Sequence, residues 1–361
     1  MSTLNKTLQA IRPIDPQWIE SAQQRQLELT KPPGSLGRLE EIANRCCAIQ
    51  ETLQPTTARP RIVLFAADHG VCAEGVSAYP QEVTAQMVLN FLRGGAAINA
   101  FARAGEIELQ VVDVGVAVPL PVSNDLPKAR DFLDRRVRSG TRNFCVEGAM
   151  TEAEMLAALD AGIELARAAA LDGCDLLGFG EMGIGNTTSA SAIAAALSGK
   201  PVDAVVGAGA GADDACMMRK RSAIERALVL HSASLSDPLG ILRCVGGLEI
   251  AAMCGFCFGA AAHRVPVVTD GFIATAAAAL AVRVAPVASG YLFASHRSSE
   301  PGHAHFLAMI DQQPLLDLGM RLGEGTGAAL AMKLIQSSVA AFTGMATFAS
   351  AAVSNKGASN K

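Results

Sequence analysis

The stretch MRLGEGTGAALAM, residues 320–332, sets one carboxylate, Glu324, between Gly323 and Gly325, directly ahead of an alanine-rich helical run. A carboxylate at a helix start suits the helix dipole at ~0.3–1 kcal/mol, but that does not account for the glycines. A second acid, Glu181, opens GEMGIGNTT at 180–188. The glycines there let backbone approach a ligand, while Asn186, Thr187 and Thr188 can cap the following helix and aim its N–H groups at an anion such as a phosphate. Simple N-capping explains the same residues.

Three further stretches carry polar groups at spacings used in chemistry. GAGAGA at 207–212 fits G-x-G-x-x-[GA] after an apolar run, the start of a dinucleotide fingerprint. That fingerprint wants an acid ~20 residues on, at the end of the next strand. The residues after the glycines read as helix, with Glu225 inside it, so a mononucleotide phosphate held by the glycines around Gly209 with Lys220 nearby is the better use. Asp68-His69 reads either as an acid/base pair or metal ligands, or as a strand-end Asp bonding backbone N–H groups beside a packed His. His303-Ala-His305, with His296 nearby, lacks a carboxylate or cysteine at helical spacing, so no metal is expected. G-x-S-x-G, Walker and H-E-x-x-H patterns are absent from the sequence.

These stretches need a frame to bring them together. Nearly continuous apolar runs, as expected of strands buried on both faces, fall at 61–67, 109–115, 175–180, 203–207, 265–270 and 287–294. Helical patterns lie near 80–104, 151–172, 187–199, 215–233, 246–262 and 272–285. The alternation predicts an α/β fold, a doubly wound, mainly parallel sheet of about six strands, Rossmann-like, with ligands beyond the carboxyl ends of the strands. Residues 1–58 and 300–361 are read as a small helical subdomain, ending in a frayed tail SNKGASNK, and 59–299 as the large α/β domain.

Composition narrows the function classes. The 361 residues carry a formal charge of −4, which argues against a nucleic-acid surface. The basic clusters Arg135-Arg136-Val137-Arg138 and Arg219-Lys220-Arg221 read as solvated faces unless a neighbouring motif employs them. No apolar signal opens the chain, and the longest apolar tract, 271–294, holds Arg283 and Pro286, so neither secretion nor a membrane span is expected. Nine scattered cysteines read as reduced cytoplasmic thiols, with Cys254-Gly-Phe-Cys257 buried in a helix rather than redox-active.

Taken in order, KPPGSLGRLE (31–40), ADHGV (67–71), GEMGIGNTT (180–188), VGGLEIAAM (245–253), DGF (270–272) and RLGEGTGAALAM (321–332) resemble the nicotinate-nucleotide–dimethylbenzimidazole phosphoribosyltransferase family of cobalamin lower-ligand synthesis. The resemblance spans most of the chain and its motifs are jointly specific. It implies transfer of ribose 5-phosphate from nicotinate mononucleotide to 5,6-dimethylbenzimidazole, giving α-ribazole 5'-phosphate and nicotinate with inversion at the anomeric carbon. It implies no cofactor or metal, since no pyrophosphate leaves, and a homodimer, for which the apolar helix at 248–262 offers an interface.

By the same resemblance Glu324 is the general base that takes the N–H proton of the benzimidazole, and the bare glycines Gly325 and Gly327 admit a flat ring. Glu181 is a supporting acid near the ribose or nicotinate. Gly183, Asn186, Thr187, Gly209 and Lys220 match the phosphate and ribose surroundings, with Ser295 on a further rim loop. Tyr79 and Gln86 belong to the benzimidazole side. Here the sequence departs from enteric members, which carry Ser where Tyr79 stands and Gln one position later, so the preferred base is open. The competing expectations are a nicotinamide-dinucleotide oxidoreductase built on GAGAGA and a non-catalytic benzimidazole- or nucleotide-binding protein.

Overall fold

Short apolar runs separated by alanine-rich and amphipathic stretches give alternating strands and helices, seen here in a computed structural model that describes residues 2–123, 125–128, 131–209 and 211–354. The order is α1 (Thr3–Ala10), α2 (Pro16–Glu28), α3 (Arg38–Gln50), β1 (Pro60–Ala67), α4 (Val83–Arg93), α5 (Ala97–Gly105), β2 (Glu108–Gly115), β3 (Phe132–Asp134), α6 (Glu152–Leu171), β4 (Leu176–Met182) and α7 (Asn186–Ser198). Then come α8 (Val202–Val205), α9 (Asp214–Leu230), α10 (Pro238–Val245), α11 (Leu248–Ala262), β5 (Val267–Thr269), α12 (Phe272–Val284), β6 (Leu292–Ala294), α13 (His303–Met309) and α14 (Thr326–Gly344).

All strand pairs are parallel, in the order β3-β2-β1-β4-β5-β6. The chain therefore winds outward in both directions from β1 and β4, and the switch point between them opens a crevice at their carboxyl ends. β1 is buried along its whole length, as the absence of alternation in its sequence requires. Helices cover both faces. Phe179 of β4 meets Phe256 of α11 edge-on, ring centroids 6.0 Å apart, while its neighbours Gly178 and Gly180 face α14. A methyl on Gly180 would come within 2.1 Å of the Gly325 nitrogen, so only glycine lets the start of α14 lie flat on β4.

The helix pair α6–α11 is packed equally tightly. A methyl on Gly162 would approach the Ala252 carbonyl oxygen to 1.8 Å, and one on Gly255 the Leu159 oxygen to 2.0 Å. Residues 248–261 are all buried within the chain, Cys254 and Cys257 included. This corrects the reading of α11 as an interface helix: its apolar surface is used up by α6, α12 and the sheet. At the other end, Ala22, Leu29, Ala43, Cys47 and Phe342 form a separate small core joining α2, α3 and the last turns of α14, whereas α1 lies on α6 and α11.

Other expectations are corrected as well. The run at 203–207 is not a strand: Pro201 precedes the single-turn helix α8, and β4 pairs directly with β5, leaving no place for a strand between them. A five-residue apolar run carries no periodicity that separates the two states. The helical stretch at 80–104 breaks at Gly94, whose φ of 79° closes α4. Most of 287–294 is a 3-10 turn starting at Pro286, with strand only at Leu292–Ala294. The edge strand β3, three residues ending in Asp134, gave no apolar run to find. From Asn355 onward the polar tail lies outside the described residues, as does Ala210 of the GAGAGA loop.

Candidate active site

The loops after β1, β4, β5 and β6, with the segments at 207–209 and 321–324, enclose a cleft of about 740 Å³. Its wall is apolar through Val83, Met87, Met182, Ile184, Phe272, Ile273 and Leu322, and polar through Tyr79, Glu181, Asn186, Thr187, His296, Ser298, Glu300, Arg321 and Glu324. A large apolar pocket with a few convergent polar groups at the switch point of a doubly wound sheet is the expected place for a small-molecule site.

Glu324 occupies the turn that the sequence flagged. Gly323, Glu324 and Gly325 have φ of 84°, 63° and 86°, three consecutive left-handed residues. Glycine adopts this conformation freely, but for Glu324 it costs roughly 1–2 kcal/mol. The strain aims a side chain that is only 7% exposed at the cleft, where burial first and the nearby Asp270 second push its carboxyl up to about 7, with the Ile98 backbone N–H pulling the other way. Glu324 Oε2 is buried and unpartnered among the described residues. The helix-dipole explanation of this acid falls away, because the N–H groups at the start of α14 are taken by Asp270: Gly325 N donates to its Oδ2 at 2.8 Å and Gly327 N to its Oδ1 at 2.7 Å.

Glu181 lies against the same turn; a methyl on Gly323 would meet its Oε1 at 2.5 Å. Burial, then the charges of Glu249, Asp270 and Glu324, drive its carboxyl well above the usual range, while Asn186 Nδ2 donates to its Oε2. Gly183 fits beneath: a methyl there would meet the Ala67 carbonyl oxygen at 2.2 Å. The loop is fixed from α4, where Thr84 Oγ1 accepts from Ile184 N at 3.0 Å.

At the opposite end, Lys220 is buried and its Nζ donates to Gly207 O at 2.9 Å and Thr187 Oγ1 at 3.1 Å. Burial lowers its ammonium to about 8, against the opposing pull of Glu300. Glu300 Oε1 accepts from Gly209 N at 2.9 Å, and Arg321 Nη1 donates to Gly209 O at 3.3 Å. Gly209 follows a short helix rather than a strand, so the dinucleotide reading of GAGAGA loses the strand it requires.

The structure thus brings Glu324, Glu181, Tyr79, Gly183, Asn186, Thr187 and Gly209 onto one wall, with Lys220 directly behind Thr187. Ser295 stands behind the wall, its hydroxyl donating to Asp270 O at 3.1 Å. Gly325 and Gly327 contribute backbone N–H groups to Asp270 and are not part of the lining. Gln86 is exposed and does not line the cleft, where α4 presents Val83 and Met87 instead.

Asp68 and His69 sit outside the lining. Asp68 Oδ2 accepts from Ala117 N at 2.8 Å, and the wholly buried His69 lies between Glu249, 2.6 Å from Nε2, and Ser189, 3.0 Å from Nδ1. The Ser189 hydroxyl donates to Gly246 O, so the ring donates at Nδ1 and aims Nε2 at Glu249. His303 Nε2 is paired with Thr275 Oγ1 and its Nδ1 accepts from Ser298 N. Three arginines of the basic clusters are ion-paired away from the cleft, Arg136 with Asp113, Arg138 with Glu154 and Arg221 with Asp203, while Lys220 is the cluster residue that reaches toward it. No group of His, Cys, Asp and Glu among the described residues has the arrangement of a metal site. No helix among them is long and apolar enough to cross a membrane.

Sequence reasoning passed over Arg321 and Glu300 and gave Asp270 no role. Arg321 was visible as the residue three before Glu324, and Asp270 as the strand-end acid of the DGF motif.

A parallel doubly wound sheet whose switch point holds an acid-lined cleft, with Arg321 on its wall and Lys220 just behind it, is the architecture of an enzyme with a small-molecule site. Residues 11–353 match the family model described as Phosphoribosyltransferase, and the chain belongs to that family. Its relatives narrow the family further. The nicotinate-nucleotide–dimethylbenzimidazole phosphoribosyltransferase of Chloroflexus aggregans is 51% identical over 99% of both chains, and that of Geobacter metallireducens 50% over 98% of both. The crystal structure of the Thermus thermophilus enzyme of this name superposes with a TM-score of 0.86 at 50% identity, covering 94% of this chain and 99% of that one.

Proposed function

We propose that this protein transfers the ribose 5-phosphate group of nicotinate mononucleotide to a ring nitrogen of 5,6-dimethylbenzimidazole, with Glu324 as general base. The observation that carries the reading is the Glu324 carboxyl itself: pushed up to about 7 in a buried glycine turn, on a wall that also presents Met87, Met182, Phe272 and Leu322. A base of that strength at the edge of an apolar slot suits a flat heterocycle that must lose one proton.

In the reaction the bond between the anomeric carbon and the pyridinium nitrogen breaks with its electron pair going to nitrogen, so nicotinate leaves with a neutral ring and needs no acid. One benzimidazole nitrogen forms the new bond from the opposite face while the other gives its proton to Glu324. Holding the two rings in line removes ~7–11 kcal/mol of barrier. Glu181, hydrogen-bonded by Asn186, supports the ribose between them. The phosphate lies toward Thr187, Gly209 and Lys220. Arg321 joins them as the one arginine or lysine among the described lining residues. Tyr79, with Val83 and Met87, forms the benzimidazole side.

The test is nicotinate release from nicotinate mononucleotide, with and without 5,6-dimethylbenzimidazole. Base-dependent release that collapses in Glu324→Gln supports both the reaction and the base. Base-dependent release that survives in the variant moves the proton acceptor elsewhere, with Glu181 next. No release with this or any other azole overturns the transferase reading in favour of a binding protein.

A further inference from the structure

The turn that carries Glu324 has no regular secondary structure to hold three left-handed residues in a row. Thr326 closes it from within, its N and Oγ1 donating to Gly323 O at 3.1 and 2.7 Å, and one buried side chain from another element holds it to the sheet. Asp270, at the carboxyl end of β5 and 1% exposed, accepts from Gly325 N at 2.8 Å on one oxygen and from Gly327 N at 2.7 Å and Ala328 N at 3.2 Å on the other. Both oxygens are thus engaged by the residues directly following Glu324, and neither faces a substrate. Ser295 Oγ fixes the loop from behind by donating to Asp270 O.

We propose that Asp270 is the positioning residue of the general base, a carboxylate that acts on the reaction only through Glu324 by pinning the left-handed turn to the carboxyl end of β5. The inference rests on the reading of Glu324 as the base. It gives the site two properties. The turn cannot relax to an ordinary conformation without breaking charge-assisted hydrogen bonds in a water-free setting. The charge of a second carboxyl also stands near Glu324 and favours its protonated form. The titratable groups that share this corner are Glu181 of β4, Glu249 of α11, Asp270 after β5 and His296 after β6, whose Nδ1 is 3.9 Å from Asp270 Oδ1.

Asp270→Asn tests the idea, because an amide keeps the size but offers one acceptor oxygen and turns N–H groups toward N–H groups. The expected result is a fall in kcat of ~10²-fold, the penalty for displacing a catalytic group by about an ångström, with KM for both substrates held. The acid limb of the kcat/KM profile moves to lower pH, since the charge that adds to burial in raising Glu324 is gone. A merely structural Asp270 would reduce melting temperature and active fraction but leave kcat per active site unchanged, and that result overturns the proposal.

If Asp270→Asn does not fold, Gly325→Ala strains the same turn while leaving the Asp270 charge. It should lower kcat with the acid limb unmoved, and full activity in that variant overturns the need for a held turn. Glu324→Gln in the same assay separates the two readings. Full activity there removes the base assignment itself, whereas loss there with unchanged Asp270→Asn removes only the positioning role.

Discussion

The two ends of the cleft solve opposite problems with opposite materials. At one end Glu181, Asp270 and Glu324 crowd three acids into a buried corner, with a strained turn laid flat on Gly180 and backbone N–H groups taken up by Asp270. At the other end Lys220 is fixed behind Thr187 and donates to Gly207 O, while Gly209 is held by Glu300 through its N and by Arg321 through its O at 3.3 Å. In the proposed reaction the acid end must place one proton acceptor accurately and keep water away from it. In the same reaction the cationic end must supply charge to a dianion that brings its own hydrogen-bonding oxygens, and Arg321 can exchange a weak carbonyl contact for that phosphate. Geometry should dominate at the first end and charge at the second.

The largest expected effect breaks the acid end. Glu324→Gln preserves shape and removes the base, so kcat for nicotinate release should fall ~10²–10⁴-fold while positioning still gives activity above background. Initial rates at saturating substrates check this. If KM rises and kcat holds, the acid end is a binding feature and the contrast fails.

Next come the cations. Arg321→Gln and Lys220→Met each remove a charged donor whose hydrogen bonds are worth ~1.5–3 kcal/mol, so KM for nicotinate mononucleotide should rise about 10- to 100-fold with little change in kcat or in KM for the base. Nicotinate riboside, which lacks the phosphate, should be turned over as poorly by the variants as by the unsubstituted protein. A variant that keeps the full preference for nucleotide over riboside would place the phosphate elsewhere.

A smaller effect, visible without mutation, comes from the two titrations. On the proposed mechanism the Glu324 carboxylate is the active form, so kcat/KM rises as pH passes about 7. The Lys220 ammonium is the binding form, so kcat/KM falls again above about 8. The result is a narrow bell, checked by kcat/KM across pH, whose acid limb disappears in Glu324→Gln and whose alkaline limb disappears in Lys220→Met.

Much of this contrast was legible in the sequence because glycine and charge are local signals. Glu324 between glycines, Glu181 in GEMGIGNTT and Lys220 beside a glycine run all stand out before any fold is known, and the apolar runs of β1, β2 and β4 read as buried strands. The hidden part depends on distance along the chain. Asp270 is 54 residues from Glu324 (324 − 270), and nothing local says that its oxygens cap α14. The α8 segment was misread because Val205 and Val206 are β-branched, and only the pairing of β4 with β5 excludes a strand there. Arg321 looks like any exposed arginine until the 207–209 segment is brought alongside it.

The smallest effects sharpen the acid end by separating its base from the wall that presents the ring. Tyr79 is 51% exposed at the rim, on a segment tied down by Thr84, and it has the flat face to cover a benzimidazole. An aromatic pair of this kind is worth ~0.5–1.5 kcal/mol, so Tyr79→Ala should raise KM for 5,6-dimethylbenzimidazole about 2- to 10-fold, leave kcat alone and shift preference toward smaller azoles. Gln86 lies on the same helix as Val83 and Met87 but faces solvent, so Gln86→Ala should leave KM unchanged across a series of azoles. If Gln86→Ala instead raises KM for the benzimidazole, α4 must rotate on binding. The acid end would then be a site completed by its acceptor rather than one already formed.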